Sequence, residues 1–189
     1  MSSHHVIRDE QEPPILVFEL HDNWNQLSEL LAWSPIVLIN PELKYFFEIM
    51  RTKIDGLILE DKNTIESEEE DIILKSDDLW PSIAKWLNKK KYTGLNVFCK
   101  NDLMQSKFIS IKNTIHLPIN FFTESGKYIL SVEPIFKKWY PKDFKLNLEN
   151  SENFELSNLS KSEDYLKVIE DGMITIKSQN EYPLIREIG

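Results

Sequence analysis

"PIVLINPELKYFFEIMRTKIDGLILE", residues 35–60, has the pattern strand, helix, strand. "PIVLI" is a short apolar run of the kind that is buried on both sides of a sheet. Asn40 is a favourable helix cap and Pro41 sits at the first helical position, where its missing N–H costs nothing. Leu43, Phe46, Phe47 and Met50 then recur at helical spacing and form an inner face. "GLILE" opens the next strand at Gly56. On the N-terminal side, "PILVFELH" (14–21) is a strand, and Asp22 caps "NWNQLSELLAW", where Trp24, Leu27, Leu30 and Leu31 keep a helical period. The first 60 residues therefore alternate strand and helix, beginning and ending on a strand.

Beyond residue 71 the pattern changes. "IIL" (72–74) is one more short strand. Ser76 or Asp77 caps "LWPSIAKWLNKKK" (79–91), in which Pro81 falls in the tolerant first turn. Lys89, Lys90 and Lys91 complement the negative end of that helix dipole. "GLNVFC", "KFISI", "IHLPINFF" and "KYILSVE" are four strand-like runs. Ser160 and Glu163 form a capping box for a helix over "EDYLKVIEDG", which Gly172 ends, and "MITIK" is a last strand. The expected fold is α+β, a single domain with a mixed, largely antiparallel sheet and three to four helices. Residues 1–13 read as a flexible leader and 14–189 as the domain, with an acidic loop at 60–78.

Totals bound the rest. A chain of 189 residues buries roughly two thirds of the surface its unfolded form exposes, so no staple is required. The single cysteine, Cys99, excludes an intrachain disulfide and sits in a strand-like run where a buried thiol is expected. The leader lacks a signal-peptide core and no run approaches 18 apolar residues, so the reading is a soluble, cytoplasmic protein. Residues 60–78 hold nine acids and two lysines, which is −7 of a net −9. Such a concentrated anionic segment disfavours nucleic acid and acidic membranes and favours a cationic protein surface.

The recognised catalytic patterns are weak. His4, His5, His21 and His116, with one cysteine, offer no zinc spacing beyond the adjacent His4–His5 pair. The acidic loop lacks the glycine and alternating carboxylates of a calcium hand. Asp55 and Glu60-Asp61-Lys62 superficially match a nuclease metal site, but residues five apart on one strand point to opposite faces. Glycines at 56, 94, 126, 172 and 189 are too scattered for a phosphate loop or nucleophile elbow. The sequence thus calls for no catalytic residue, no cofactor and no metal. "KIDG" (Lys53, Asp55, Gly56) has the form of the covalent lysine motif of ATP-dependent ligases and capping enzymes. "DGMITIK" (171–177) is similar to a later element of that family, though with one residue too many between Gly172 and Lys177. This resemblance implies covalent nucleotidyl transfer through Lys53. In "FKKWYPKDF" aromatics alternate with lysines, a pattern that suits stacking on bases or an edge element shielded from aggregation, and the acidity of the chain favours the edge element.

The stretch "PIVLINPELKYFFEIMRTKIDGLILED" resembles a unit recurring in immunity proteins of bacterial polymorphic toxin systems. That resemblance implies a non-catalytic binder that occludes a basic protein partner, the cognate toxin. Glu66, Glu68, Glu69, Glu70, Asp71, Asp77 and Asp78 would supply the docking charge and steer association, the alternative being a solvated loop whose charge keeps the protein soluble. Trp80 would supply the buried anchor of the contact.

Overall fold

The computed structural model describes residues 12–21, 23–32, 36–59, 71–74, 79–148, 151–178 and 182–188. The chain divides into two compact units, Met1–His116 and Leu117–Gly189. The class is α+β, as the sequence reads. Helices and parallel strands make up the first unit, antiparallel strands the second.

In the first unit the expected alternation is realised as a parallel sheet. Its strands are β1 (Ile15–Val17), β2 (Val37–Ile39), β3 (Gly56–Leu59), β4 (Asp71–Leu74) and β5 (Leu95–Phe98), and its helices are α1 (Trp24–Leu31), α2 (Lys44–Ile49), α3 (Leu79–Lys90) and α4 (Asn101–Thr114). All residues of β1, β2 and β5 are buried, which is the burial that makes parallel strands continuous apolar runs. Asn40 does what its position predicts: its side chain accepts the Glu42 N–H at 3.3 Å, with Pro41 next. The first turn is a 3-10 turn, Pro41–Leu43, before α2 proper begins. Asn23 directly precedes α1, and its side chain accepts the His21 N–H at 3.1 Å. Asp22, the expected cap, lies outside the described residues.

Strand order within this unit is β5-β1-β2-β3-β4. The chain steps outward from β1 to β4 and then returns through α3 to place β5 on the far side of β1. "KFISI", expected as a strand, belongs instead to α4. Met104 and Ile111 are buried seven positions apart on one helix face, a repeat that a five-residue window hides.

The second unit is two facing antiparallel sheets. One runs β11-β12-β9-β14-β7-β6, from Leu159–Lys161, Leu166–Val168, Lys145–Leu148, Leu184–Glu187, Gly126–Leu130 and Ile119–Thr123 respectively. The other is β10-β13-β8, from Glu155–Ser157, Gly172–Lys177 and Ile135–Tyr140. Ile174 and Ile176 of the smaller sheet pack with Leu146, Leu148, Leu166 and Ile185 of the larger in one core. The helix expected over residues 163–172 is absent. Leu166 and Val168 alternate inward in β12 while Lys167 between them is less buried, and Ser160 donates to the Lys167 carbonyl across the ladder. Pairing with β9 and β11 overrides the local helical signal. "FKKWYPKDF" contributes β8, an edge strand whose residues alternate between exposed Lys137 and Trp139 and the more buried Lys138 and Tyr140.

An ionic cluster closes this sandwich. The Glu187 carboxylate accepts from Lys138 Nζ at 2.5 Å and from the Tyr140 hydroxyl at 2.5 Å, and lies 3.4 Å from Lys127 Nζ. Burial works against the charge on Glu187. The hydrogen bonds from Lys138 and Tyr140 and the charges of both lysines outweigh it, holding the carboxyl below its ordinary range. Burial, reinforced by Glu187, pushes the Tyr140 phenol well above its ordinary value. Among the described residues, no helix is long and apolar enough to cross a membrane.

Candidate functional site

In open α/β sheets, ligands bind outside the carboxyl ends of the strands, where the strand order reverses and neighbouring loops part. Here that point lies between β1 and β5. Each strand is followed there by polar residues: Glu19 and His21 after β1, Asn40 after β2, Lys100, Asn101 and Asp102 after β5.

Backbone bonds fix these ends to one another. The Phe18 N–H donates to the Phe98 carbonyl at 2.9 Å, and the Glu19 N–H to the same oxygen at 3.4 Å. The Asn40 N–H donates to the Val17 carbonyl at 2.8 Å, and its side-chain amide reaches the Phe18 carbonyl at 3.4 Å. On this platform Lys100 Nζ lies 2.8 Å from the Glu19 carboxylate, and His21 Nε2 lies 3.8 Å from the same carboxylate. The Glu19 and Lys100 side chains are 41% and 55% exposed, so their attraction contributes only about 0–1 kcal/mol to stability. What the pair provides is a cation held at the carboxyl ends of β1 and β5 with its orientation set by a carboxylate. Among the described residues, no three His, Cys, Asp or Glu side chains converge as a metal site.

His21 also lines a cleft of about 430 Å³ with Leu20, Trp24, Leu43, Phe46 and Met50. The Trp24 and Phe46 rings meet edge to face, with centroids 5.2 Å apart.

The comparisons with known proteins bear on the same architecture. No protein-family model matches the chain, and no curated protein matches it by sequence. Solved structures do match. The thiamin pyrophosphokinase of Candida albicans aligns over 95% of this chain and 92% of its own at 12% identity and a TM-score of 0.56. That of Geobacillus thermodenitrificans aligns over 92% and 96% at 10% identity and a TM-score of 0.64. That of Bacillus subtilis aligns over 94% and 99% at 8% identity and a TM-score of 0.61. The fold is similar to that of thiamin pyrophosphokinases.

This likeness overturns the immunity-protein reading, and with it the non-catalytic neutraliser and the basic toxin partner. The stretch that suggested them is the β2–α2–β3 segment of a parallel sheet, a unit whose texture many folds share. Glu66, Glu68, Glu69, Glu70, Asp77 and Asp78 lie outside the described residues, and Asp71 opens β4, its backbone paired with Gly56. Trp80 is no surface anchor: it is 1% exposed and packs at 6.1 Å from Phe18 beneath the end of β1.

Lys53 and Asp55 sit at the opposite, amino end of the strands. The Asp55 carboxylate pairs with the exposed Lys53 ammonium and accepts the Val37 N–H at 3.0 Å, tying the start of β3 to the start of β2. Within "DGMITIK", Asp171 accepts the Lys142 N–H at 2.6 Å and Lys177 pairs with Glu155 at 3.0 Å. Cys99 is fully buried, as its strand context suggests. Glu19, His21, Lys100, Trp24 and Phe46 went unrecognised as a set. Their signal was positional, because Glu19, His21 and Lys100 each follow an apolar strand at its carboxyl end.

Proposed function

We propose that the chain is a nucleotide-dependent enzyme that transfers a pyrophosphoryl group from a nucleoside triphosphate to the hydroxyl of a small heterocyclic alcohol of the thiamine kind. The observation that carries this reading is the whole-length likeness to thiamin pyrophosphokinases, which takes in both units. The crevice at the carboxyl ends of β1 and β5 supports it, because Lys100 stands where anionic phosphates would be met. In the transfer, the alcohol oxygen attacks the β-phosphorus, the bond from that phosphorus to the oxygen bridging to the α-phosphate breaks, and the nucleoside monophosphate leaves. The alcohol proton passes to solvent or to a neighbouring base. Negative charge grows on the bridging oxygen, and a lysine ammonium beside it would lower the barrier.

The chain has no glycine-rich loop to wrap phosphates, so side chains must do more of that work here than in phosphate-loop enzymes. The proposal puts the chemistry at this crevice and not at Lys53, because Lys53 and its carboxylate partner Asp55 lie at the amino ends of the strands, away from it. A cytoplasmic setting, where nucleoside triphosphates are abundant, accords with this reading. The test is phosphorus NMR of the purified chain with ATP and thiamine. Appearance of AMP together with a pyrophosphate ester supports the reading, and ATP left intact, or split only to ADP, contradicts it.

A further inference from the structure

The cleft between α1 and α2 has features that the crevice alone does not explain. Its Phe46 and Met50 side chains are 38% and 43% exposed, large apolar groups turned to solvent at the rim of a concavity. Trp24 and Phe46 stand nearly perpendicular, at 86°, and make a corner with two aromatic walls. A flat guest stacked on one wall meets the other edge-on, both arrangements that aromatic pairs prefer. Leu20, Leu43 and Met50 complete an apolar lining, while His21 and the Trp24 indole bring polar atoms. A volume of about 430 Å³ with few polar groups is the usual character of a small-molecule site.

The cleft is also joined to the crevice. Leu20 and His21 belong to the loop that leaves β1, and Leu43 to the turn that leaves β2. Through Glu19, contacts of 3.8 Å and 2.8 Å lead from His21 on the cleft wall to Lys100. A ligand with a planar ring and an anionic or reacting arm could place the ring in the cleft and the arm at Lys100.

We infer that the Trp24–Phe46 cleft is a subsite for a planar nitrogen heteroaromatic ring. The inference rests on the proposed pyrophosphoryl transfer and adds the place and chemistry of ring recognition. Two reactants could bring such a ring: the nucleobase of the donor or the heterocycle of the acceptor. Calorimetric titration of the full chain with adenosine and, separately, with thiamine distinguishes them. Binding of one, weakened roughly tenfold by Phe46→Ala, which removes a stacking wall, and less by Met50→Ala, which trims the apolar lining, supports the subsite and names its source. Inorganic triphosphate, which has no ring, should bind both variants as it binds the wild type. Both residues are partly exposed, and thermal denaturation verifies that the variants fold. The subsite is overturned if both variants bind adenosine and thiamine as the wild type does, with the transfer reading left standing. If the wild type binds neither ring compound and forms no AMP from ATP, the transfer reading falls and the subsite with it.

Discussion

Lys100 Nζ sits 2.8 Å from the Glu19 carboxylate across the carboxyl ends of β5 and β1, the two neighbours between which the strand order of the first unit reverses. Because the pair is exposed, breaking it leaves the fold nearly intact. Lys100→Met and Glu19→Gln should each change the midpoint of thermal unfolding by no more than what about 1 kcal/mol produces. Lys100→Met should nonetheless lower pyrophosphoryl transfer about a hundredfold, the scale of losing one electrostatic stabiliser of the transition state. Differential scanning calorimetry alongside a transfer assay reads both quantities. A large loss of stability with retained activity would make the pair a structural one.

Trp80 separates the core reading from the docking reading by magnitude. Its fully buried ring supports the end of β1 at Phe18, so Trp80→Ala should destabilise by about 3–5 kcal/mol in urea unfolding. A surface anchor would cost less than about 0.5 kcal/mol on truncation.

The Glu187 cluster predicts a pH dependence. The folded carboxyl is held below its ordinary value, so its stabilising contribution is present above the unfolded pKa and is lost as pH falls through the folded one. Glu187→Gln should therefore cost about 2 kcal/mol at neutral pH, the scale of hydrogen bonds to a charged group. It leaves Lys127 and Lys138 without their shared anion. The gap between variant and wild type should narrow steadily below about pH 4. Tyr140 adds the alkaline counterpart. Its raised pKa is stabilising below the unfolded value near 10 and ceases to be so as pH rises through the folded one. Urea unfolding at stepped pH measures both.

Asp55 holds the Val37 N–H at the amino end of β2, and Asp55→Ala should cost about 1–2 kcal/mol while leaving transfer unchanged. Lys53, the exposed partner of that carboxylate, should take no label when the chain is incubated with radiolabelled ATP and denatured.

Much of the first unit was legible because its elements announce themselves locally. "ILV", "VLI" and "LNVF" are strands buried on both sides, and Asn40-Pro41 marks where the chain turns into α2. Reading failed where tertiary pairing outvotes local preference, at β12, or where a window is too short to show a helical repeat, at Lys107–Ile111. The division at His116/Leu117 carries no linker composition. The candidate site was the least legible part. Glu19 and Lys100 are 81 positions apart, and each is an ordinary polar residue after a strand. Only the return of β5 to the side of β1 makes them a pair. Charge density drew attention instead to residues 60–78, because composition records how much charge there is and says nothing of which charges converge.

The most direct test compares AMP release from ATP and thiamine by the wild type, Lys100→Met and Lys53→Ala under identical conditions. Chemistry at Lys100 predicts transfer by the wild type, an equal rate for Lys53→Ala and a rate about a hundredfold lower for Lys100→Met. Transfer that survives Lys100→Met and vanishes with Lys53→Ala would place the chemistry at the amino ends of the strands and contradict it.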